Sequence, residues 1–245
     1  MKPEFEYQGT ELALFATAVN WRSYWTSLVD PYLCGEVLEV GAGLGSVTKR
    51  LHARACVWHA MEPDPHMAAS ISDWVVGDHA DNVKVHCGTL ADLPATPAFD
   101  VVLYADVLEH IQEDAQELAS AIARLRAGGH LVVLVPAHQA LFSPFDARIG
   151  HFRRYSLASI RAIAPVGGRE VFAGYLDAIG LAASVTNRFV LRSGEPTPKQ
   201  VGLWDRLMVP MSRRVDPLIR HRLGKSVMVV WEKQAASVRR LDTQP

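Results

Sequence analysis

The chain has 245 residues, 49% of them hydrophobic and 21% charged, with a formal charge of −1. Those values exclude a disordered or collagen-like chain and a globally basic nucleic-acid binder. Apolar stretches such as Leu131–Ala137 fall far short of the roughly 20 residues of a membrane span, and Met1–Thr10 has no apolar leader segment. The three cysteines, Cys34, Cys56 and Cys87, carry neither metal nor disulfide spacing, so reduced, mostly buried thiols in a cytoplasmic protein are expected.

In chain order, Thr10–Asp30 predicts a helical lead-in, with Trp21, Tyr24, Trp25 and Leu28 at helical spacing. Five short apolar runs then predict strands: Glu36–Val40, Cys56–Met61, Val83–Cys87, Asp100–Ala105 and His130–Val135. Helical patterns separate them at Ser46–His52, Pro65–Trp74 and Asp114–Ala127, the last stopped by Gly128-Gly129. This alternation predicts a doubly wound α/β sheet. After Pro136 comes a loop rich in His and Arg, Ala137–Tyr155, then a helix over Leu157–Ala164 with Ser156 as its N-cap. Late strands follow at Glu170–Tyr175 and Ser226–Trp231, around a long insertion, Arg192–Lys225, punctuated by prolines. From Lys199 to Arg240 there are ten Lys/Arg against three Asp/Glu.

The strongest chemical signal is Glu39-Val40-Gly41-Ala42-Gly43-Leu44-Gly45 at the end of the first strand. Glycines there let the backbone turn tightly and approach a ligand, and ligands of open α/β sheets bind at the carboxyl ends of strands. The dinucleotide pattern G-x-G-x-x-G needs glycine at position 46, where this chain has Ser46, and a Walker loop is absent. Glu62 closes the second strand about 20 residues further on, where a carboxylate can accept from ribose hydroxyls. Gly88-Thr89-Leu90 follows the third strand, where an adenine edge would lie.

Together, VLEVGAGLGSVT (Val37–Thr48), MEPD (Met61–Asp64), FDVVLYADVLEHI (Phe99–Ile111) and LRAGGHLVVLVPA (Leu125–Ala137) resemble the ordered motifs of class I S-adenosylmethionine-dependent methyltransferases. The resemblance implies a Rossmann-like, mostly parallel seven-stranded sheet. It implies a single domain with a helix over 10–30, a cofactor-binding core over 35–137 and an acceptor side over 138–245. It places Glu39, Gly41 and Gly43 at the methionine end of the cofactor, Glu62 at the ribose and Thr89 and Leu90 beside adenine. Tyr104 and Ala105 would flank the sulfonium. Thr89 stands where many relatives carry Asp.

A second constellation, Pro136-Ala137-His138, Phe145-Asp146 and Gly150-His151-Phe152-Arg153-Arg154-Tyr155, resembles a segment of methyltransferases whose substrates are largely unassigned. On that resemblance His138, His151 and Tyr155 are candidate catalytic residues, and Asp146, Arg153 and Arg154 candidate acceptor contacts. Histidine titrates near neutrality and arginine can grip a carboxylate or phosphate. The competing reading is that Arg153 or Arg154 pairs with Asp146, Asp106 or Glu109 and pins the loop. No metal triad is legible, and the sequence motifs for amino groups on nucleic acids are missing. The acceptor expected is therefore a small molecule or a lipid- or sugar-linked metabolite, methylated at oxygen or nitrogen. The basic insertion reads as a cap or lid, as a peripheral membrane contact through 199–225, or as an oligomer interface. Two rival functions are an NAD(P)-dependent oxidoreductase and a cofactor-binding scaffold without turnover.

Overall fold

A computed structural model describes Tyr7 and residues 11–186 and 197–235. Seven strands form one sheet: β1 Glu36–Val40, β2 Val57–Glu62, β3 Val83–Cys87, β4 Phe99–Ala105, β5 Leu125–Pro136, β6 Gly168–Leu176 and β7 Ser226–Lys233. Their spatial order is β3-β2-β1-β4-β5-β7-β6. β1 to β5 are mutually parallel, and β7 runs antiparallel between β5 and β6. The chain winds outward from β1 to β3, then returns through β4 on the other side of β1. This reversal opens the crevice in which such sheets bind ligands.

The central strands are apolar on both faces because both faces are covered. Val37, Leu38, Val101, Val102, Leu131 and Val132 have no exposed surface. Side chains alternate between two cores. Val37, Trp58, Ala60, Val101 and Leu103 join one, with helix α2 (Val19–Val29) and Ile71 of α4 (Pro65–Gly77). Leu38, Val40, Val102 and Tyr104 join the other, with Leu118 and Ile122 of α5 (Asp114–Arg124). Asp64 caps α4 by accepting from the amides of His66 (2.8 Å) and Met67 (3.1 Å), with Pro65 pre-set at the first helical position. Ser156 caps the helix over Leu157–Ala162 as the sequence predicts.

Several local expectations are corrected. The lead-in is two helices, α1 Glu11–Phe15 and α2, with Asp30–Tyr32 a further tight turn. After the glycine run only Thr48–Leu51 is α-helical, α3, followed by a 3₁₀ turn. The helix at Asp114 ends at Arg124, ahead of Gly128-Gly129. Those glycines instead shape the start of β5, where the register jumps between the Phe99–Leu125 and Val101–His130 pairs. A Cβ on Gly129 would stand 2.8 Å from the Asp100 carbonyl oxygen, so no larger residue fits that approach. All three cysteines are exposed rather than buried, because each lies at or beyond a strand end.

The His- and Arg-rich loop contains a short helix, α6 Pro144–Arg148, and is followed by α7 Leu157–Ala162. Beyond β6 lies α8 Ala178–Thr186; residues 192–196 of the expected insertion and 236–240 of the basic stretch fall outside the described residues. The remainder of the insertion is helical: α9 Pro198–Leu203, a π-turn over Trp204–Met208, and α10 Val209–Leu218. The π-turn precedes Pro210, which has no amide for a carbonyl four residues back and would clash with it in an α-helix. Among the described residues no helix is long and apolar enough to cross a membrane.

Three buried aspartates fasten this helical cap to the sheet. Asp216 accepts from the Tyr24 hydroxyl (2.8 Å) and the amides of Asp177 (2.6 Å) and Ala178 (3.0 Å). Asp177 accepts from Trp204 Nε1 (2.7 Å) and Ser212 Oγ (2.6 Å). Asp205 accepts from the amides of Asn20 (3.1 Å) and Trp21 (2.8 Å) at the start of α2. Asp216→Ala should lower the unfolding free energy by about 1–3 kcal/mol for each buried donor it orphans. Asp216→Asn, which keeps an acceptor oxygen, should cost less. Urea denaturation of the two variants measures the difference; equal stability of Asp216→Ala and the native chain would refute this role.

Candidate active site

One cavity of about 260 Å³ opens at the carboxyl ends of β1, β4 and β5. Its roof is the N-terminal segment and the cap, through Tyr7, Leu12, Phe15, Trp21 and Trp204. Its floor is the glycine turn, Gly41–Leu44, and Glu39 beneath it. Gly41 has φ +69°, and a Cβ there would meet Val107 Cγ2 at 2.6 Å, so both conformation and space demand glycine.

Glu39 is 2% exposed. One of its oxygens accepts from Thr48 Oγ1 and from Trp58 Nε1 (2.9 Å). Burial pushes its carboxyl up to about 7, against the pull of those two hydrogen bonds and with a further push from Glu62. Trp58 reaches it because Glu39 pairs with Ala60 across the ladder, which sets Trp58 two residues away on the same face. Neither Thr48 nor Trp58 was singled out from the sequence; their signal was only an indole in a strand and a hydroxyl at a helix start. Arg22 of α2 also lines the cavity, with its guanidinium held by the carbonyl oxygen of Ala16 at 2.8 Å.

Gly41, Gly43, Glu39 and Ala105 line the cavity. Glu62 does not line it. Its carboxylate, 5% exposed, accepts from the amides of Gly43 (2.7 Å) and Asp64 (3.0 Å) and so latches the glycine turn to β2. Burial raises its carboxyl above the ordinary range, while these amides oppose the shift. Thr89 caps a short turn with Asp92, and Leu90 is buried in the core with α5; neither side chain reaches this cavity. Tyr104 is corrected outright. Its ring is fully buried on the opposite face and its hydroxyl donates to Glu117 at 2.7 Å.

The acceptor-side candidates divide. Asp146, His151 and Arg154 line the cavity. Asp146 is 1% exposed and accepts from Ser143 N (2.7 Å), Arg154 Nη2 (2.7 Å) and His151 Nδ1 (3.2 Å). Although burial opposes it, these partners hold its carboxyl well below the usual range. The remaining candidates are structural. Arg153 pairs with Asp114 at 2.6 Å, and the buried Tyr155 hydroxyl donates to the same carboxylate at 2.8 Å. His138 contacts the Gly224 carbonyl through Nε2 at 2.9 Å and stacks on Tyr175, with ring centroids 5.1 Å apart. The pinning reading of the loop is realised by Arg154 on Asp146; Arg153 also ties the loop down, but to Asp114, which was not among the expected partners.

Three cavity groups, Asp106, Lys225 and Glu109, were missed as functional candidates, whereas the sequence already read His110 as facing the pocket or capping a helix. Asp106 sits at the tip of β4 with φ +56°, a conformation sequence does not reveal. The side chain is exposed to the cavity, yet crowding by the surrounding protein raises its carboxyl to about 6, opposed by His151, Lys225 and Arg154. Lys225, just before β7, lies 4.1 Å from the centre of the Trp204 ring, and burial lowers its ammonium pKa. Glu109 and His110 meet His151 at the cavity wall; the three place ligand-capable atoms within 4.8 Å of one another. This grouping was not legible as a motif because His151 lies 41 residues beyond His110.

Residues 38–133 match the family described as "Methyltransferase domain". An "Uncharacterized methyltransferase" of Staphylococcus carnosus is 26% identical over 102 residues, which are 41% of this chain and 46% of that protein. The chain therefore matches just under half the length of this curated relative. Among solved structures, phosphoethanolamine N-methyltransferase 2 of Haemonchus contortus superposes with a TM-score of 0.63 at 14% identity, covering 93% of this chain and 58% of that one. A geranyl diphosphate methyltransferase in complex with S-adenosylmethionine gives 0.62 at 12% identity, covering 93% and 92%. At such identities these structures speak for the fold. The motif order, the family match over residues 38–133 and the shared fold together support a class I S-adenosylmethionine-dependent methyltransferase.

Proposed function

We propose that the protein transfers a methyl group from S-adenosylmethionine to an oxygen or nitrogen of a small or lipid-linked acceptor. The observation that carries this reading is the buried carboxylate of Glu39, set beneath the glycine turn and facing a cavity whose far wall holds Asp106, His151 and Lys225. The donor set fits the methionine end of the cofactor. Glu39 suits its ammonium and Arg22, lining the same cavity, its carboxylate. Glu62 supports that site from behind, its carboxylate holding the glycine turn through the Gly43 amide.

The bound cofactor supplies an electrophilic methyl group on a sulfonium. What the chain must add is alignment and a dry cavity, which are worth on the order of 7–11 kcal/mol when the reacting atoms are well oriented. The aromatic roof of Phe15, Trp21 and Trp204 excludes water. Asp106, with its carboxyl near 6, is suited to take a proton from an acceptor hydroxyl or ammonium near neutral pH. Lys225 and Arg154 present positive charge to an anionic part of the acceptor. Geranyl diphosphate and phosphoethanolamine, named for two proteins of this fold, are both phosphorylated acceptors of the kind such charges would accommodate.

The outer face of the cap supports a lipid-linked acceptor. Leu203, Leu207, Met211 and Leu218 are 51%, 58%, 51% and 82% exposed. Arg206, Arg213, Arg214, Arg220 and Arg222 are exposed among them. Apolar side chains flanked by arginines suit an anionic lipid surface, each arginine contributing about 1 kcal/mol near it.

Two experiments test these readings. Calorimetric titration with S-adenosylhomocysteine should show binding that strengthens with pH, because its ammonium pairs with ionised Glu39. With the carboxyl at about 7, the ionised fraction and hence the affinity should rise about tenfold from pH 6 to pH 8. Glu39→Gln should weaken binding by about 1.5–3 kcal/mol and flatten that slope, separating it from titration of Asp106. An unchanged affinity would sink the assignment, and NADH binding in its place would favour the oxidoreductase. For the cap, the full chain should sediment with vesicles containing phosphatidylglycerol, in a salt-sensitive manner, and not with phosphatidylcholine alone. Leu207→Asp with Leu218→Asp should abolish sedimentation; sedimentation that survives in the double variant would refute the lipid surface.

A further inference from the structure

We propose that Glu109, His110 and His151 bind one divalent first-row transition-metal ion at the acceptor wall of the cavity. Glu109 is fully buried, and neither carboxylate oxygen accepts a hydrogen bond from another described residue. His151 Nε2 lies 3.8 Å from its Oε1. A buried carboxylate without donors costs several kcal/mol if ionised, whereas every other buried carboxylate discussed above has its donors. The unsatisfied one alone stands between two imidazoles, whose ring centroids are 4.5 Å apart at 88°.

The imidazoles are held for ligation. His151 directs Nδ1 to Asp146 Oδ1 at 3.2 Å, which turns its Nε2 toward Glu109. A carboxylate behind a histidine is the usual outer support of a metal-binding imidazole, fixing its tautomer and orientation. The Gly150 backbone lies beside the His110 ring and favours its protonated form, against the stronger effect of burial. The peptides carrying the ligands are also joined, since the Phe152 amide donates to the Glu109 carbonyl at 2.8 Å.

Two imidazoles and one carboxylate suit Mn²⁺, Fe²⁺, Co²⁺, Ni²⁺ or Zn²⁺ better than Mg²⁺ or Ca²⁺, which prefer oxygen ligands. Three protein ligands leave positions open, and all three residues face the cavity. If the methyltransferase reading holds, those positions would accept an acceptor hydroxyl and favour its deprotonation. Metal binding itself does not depend on that reading.

The test is calorimetry of the chelator-treated full chain with Mn²⁺, Co²⁺ and Zn²⁺, without cofactor or acceptor. One equivalent should bind. Glu109→Gln and His151→Ala should each lose at least tenfold in affinity, and Asp146→Asn should lose tenfold or more through the supporting shell. His86→Asn, which alters the separate His59–His86 pair (2.9 Å), should retain the wild-type affinity. Melting temperatures establish that each variant is folded. Should the variants fail to fold, electron paramagnetic resonance of the Cu²⁺-loaded native chain decides, since coupling to two imidazole nitrogens is expected. Absence of stoichiometric binding, binding undiminished in Glu109→Gln and His151→Ala, or a Cu²⁺ spectrum without two imidazoles would overturn the site. Because no cofactor is present, failure here leaves S-adenosylhomocysteine binding as a separate question.

Discussion

A carboxylate removed from water must find donors, and at Asp146 that demand organises the acceptor wall. Ser143 supplies its amide and hydroxyl, both at 2.7 Å, which starts α6. Arg154 supplies its guanidinium and His151 its Nδ1. One side chain thereby fixes a helix start, a cation and an imidazole that are otherwise held by an irregular loop. Its pKa is depressed in the folded state. Its contribution to stability is therefore present above the unfolded carboxylate pKa and lost only as pH falls through the lower, folded value. The wall keeps its form throughout the neutral range in which methyl transfer would operate.

The other buried acids divide by the same criterion. Asp177 and Asp216 are satisfied by hydroxyl, indole and amide donors, and both bind the cap to the sheet. Glu39 is half satisfied, by Thr48 and Trp58 on one oxygen, and the deficit appears as a carboxyl raised to about 7. No other described residue donates a hydrogen bond to Glu109, and burial raises its carboxyl well above the ordinary value. Unsatisfied buried groups cost stability without improving packing. Here the less satisfied carboxylates, Glu39 and Glu109, are cavity-lining, whereas Asp177 and Asp216 are not among its walls.

The central strands were legible because strands buried on two faces must be largely apolar, and Glu36–Val40 matches residue for residue; the edge strand Val83–Cys87 matches too, but there Lys84 and His86 alternate with the valines. The glycine turn was legible because its backbone excludes other residues. Tyr104 shows where motif reading fails. Adjacent strand residues face opposite sides, so if Ala105 and Glu39 serve the cavity face, the Tyr104 ring must enter the other core. The same alternation splits Arg153 and Tyr155, which both reach Asp114, from Arg154, which turns to Asp146. Asp106 and Lys225 were invisible for another reason: a left-handed backbone and a packing partner 21 residues away leave no local pattern.

Lys225 links the cap to the chemistry. Its ammonium is desolvated, lies over the Trp204 ring and is flanked by Asp106, Asp146 and Asp177 on the acidic side and Arg154 on the basic side. Trp204 is itself anchored through its indole N–H to Asp177. A displacement of the cap would thus remove the aromatic face from Lys225 and admit water beside it, weakening its field across the cavity. The π-turn that begins at Trp204 places this contact at the least regular point of the cap helix, so the geometry that accommodates Pro210 also positions the indole that covers the lysine.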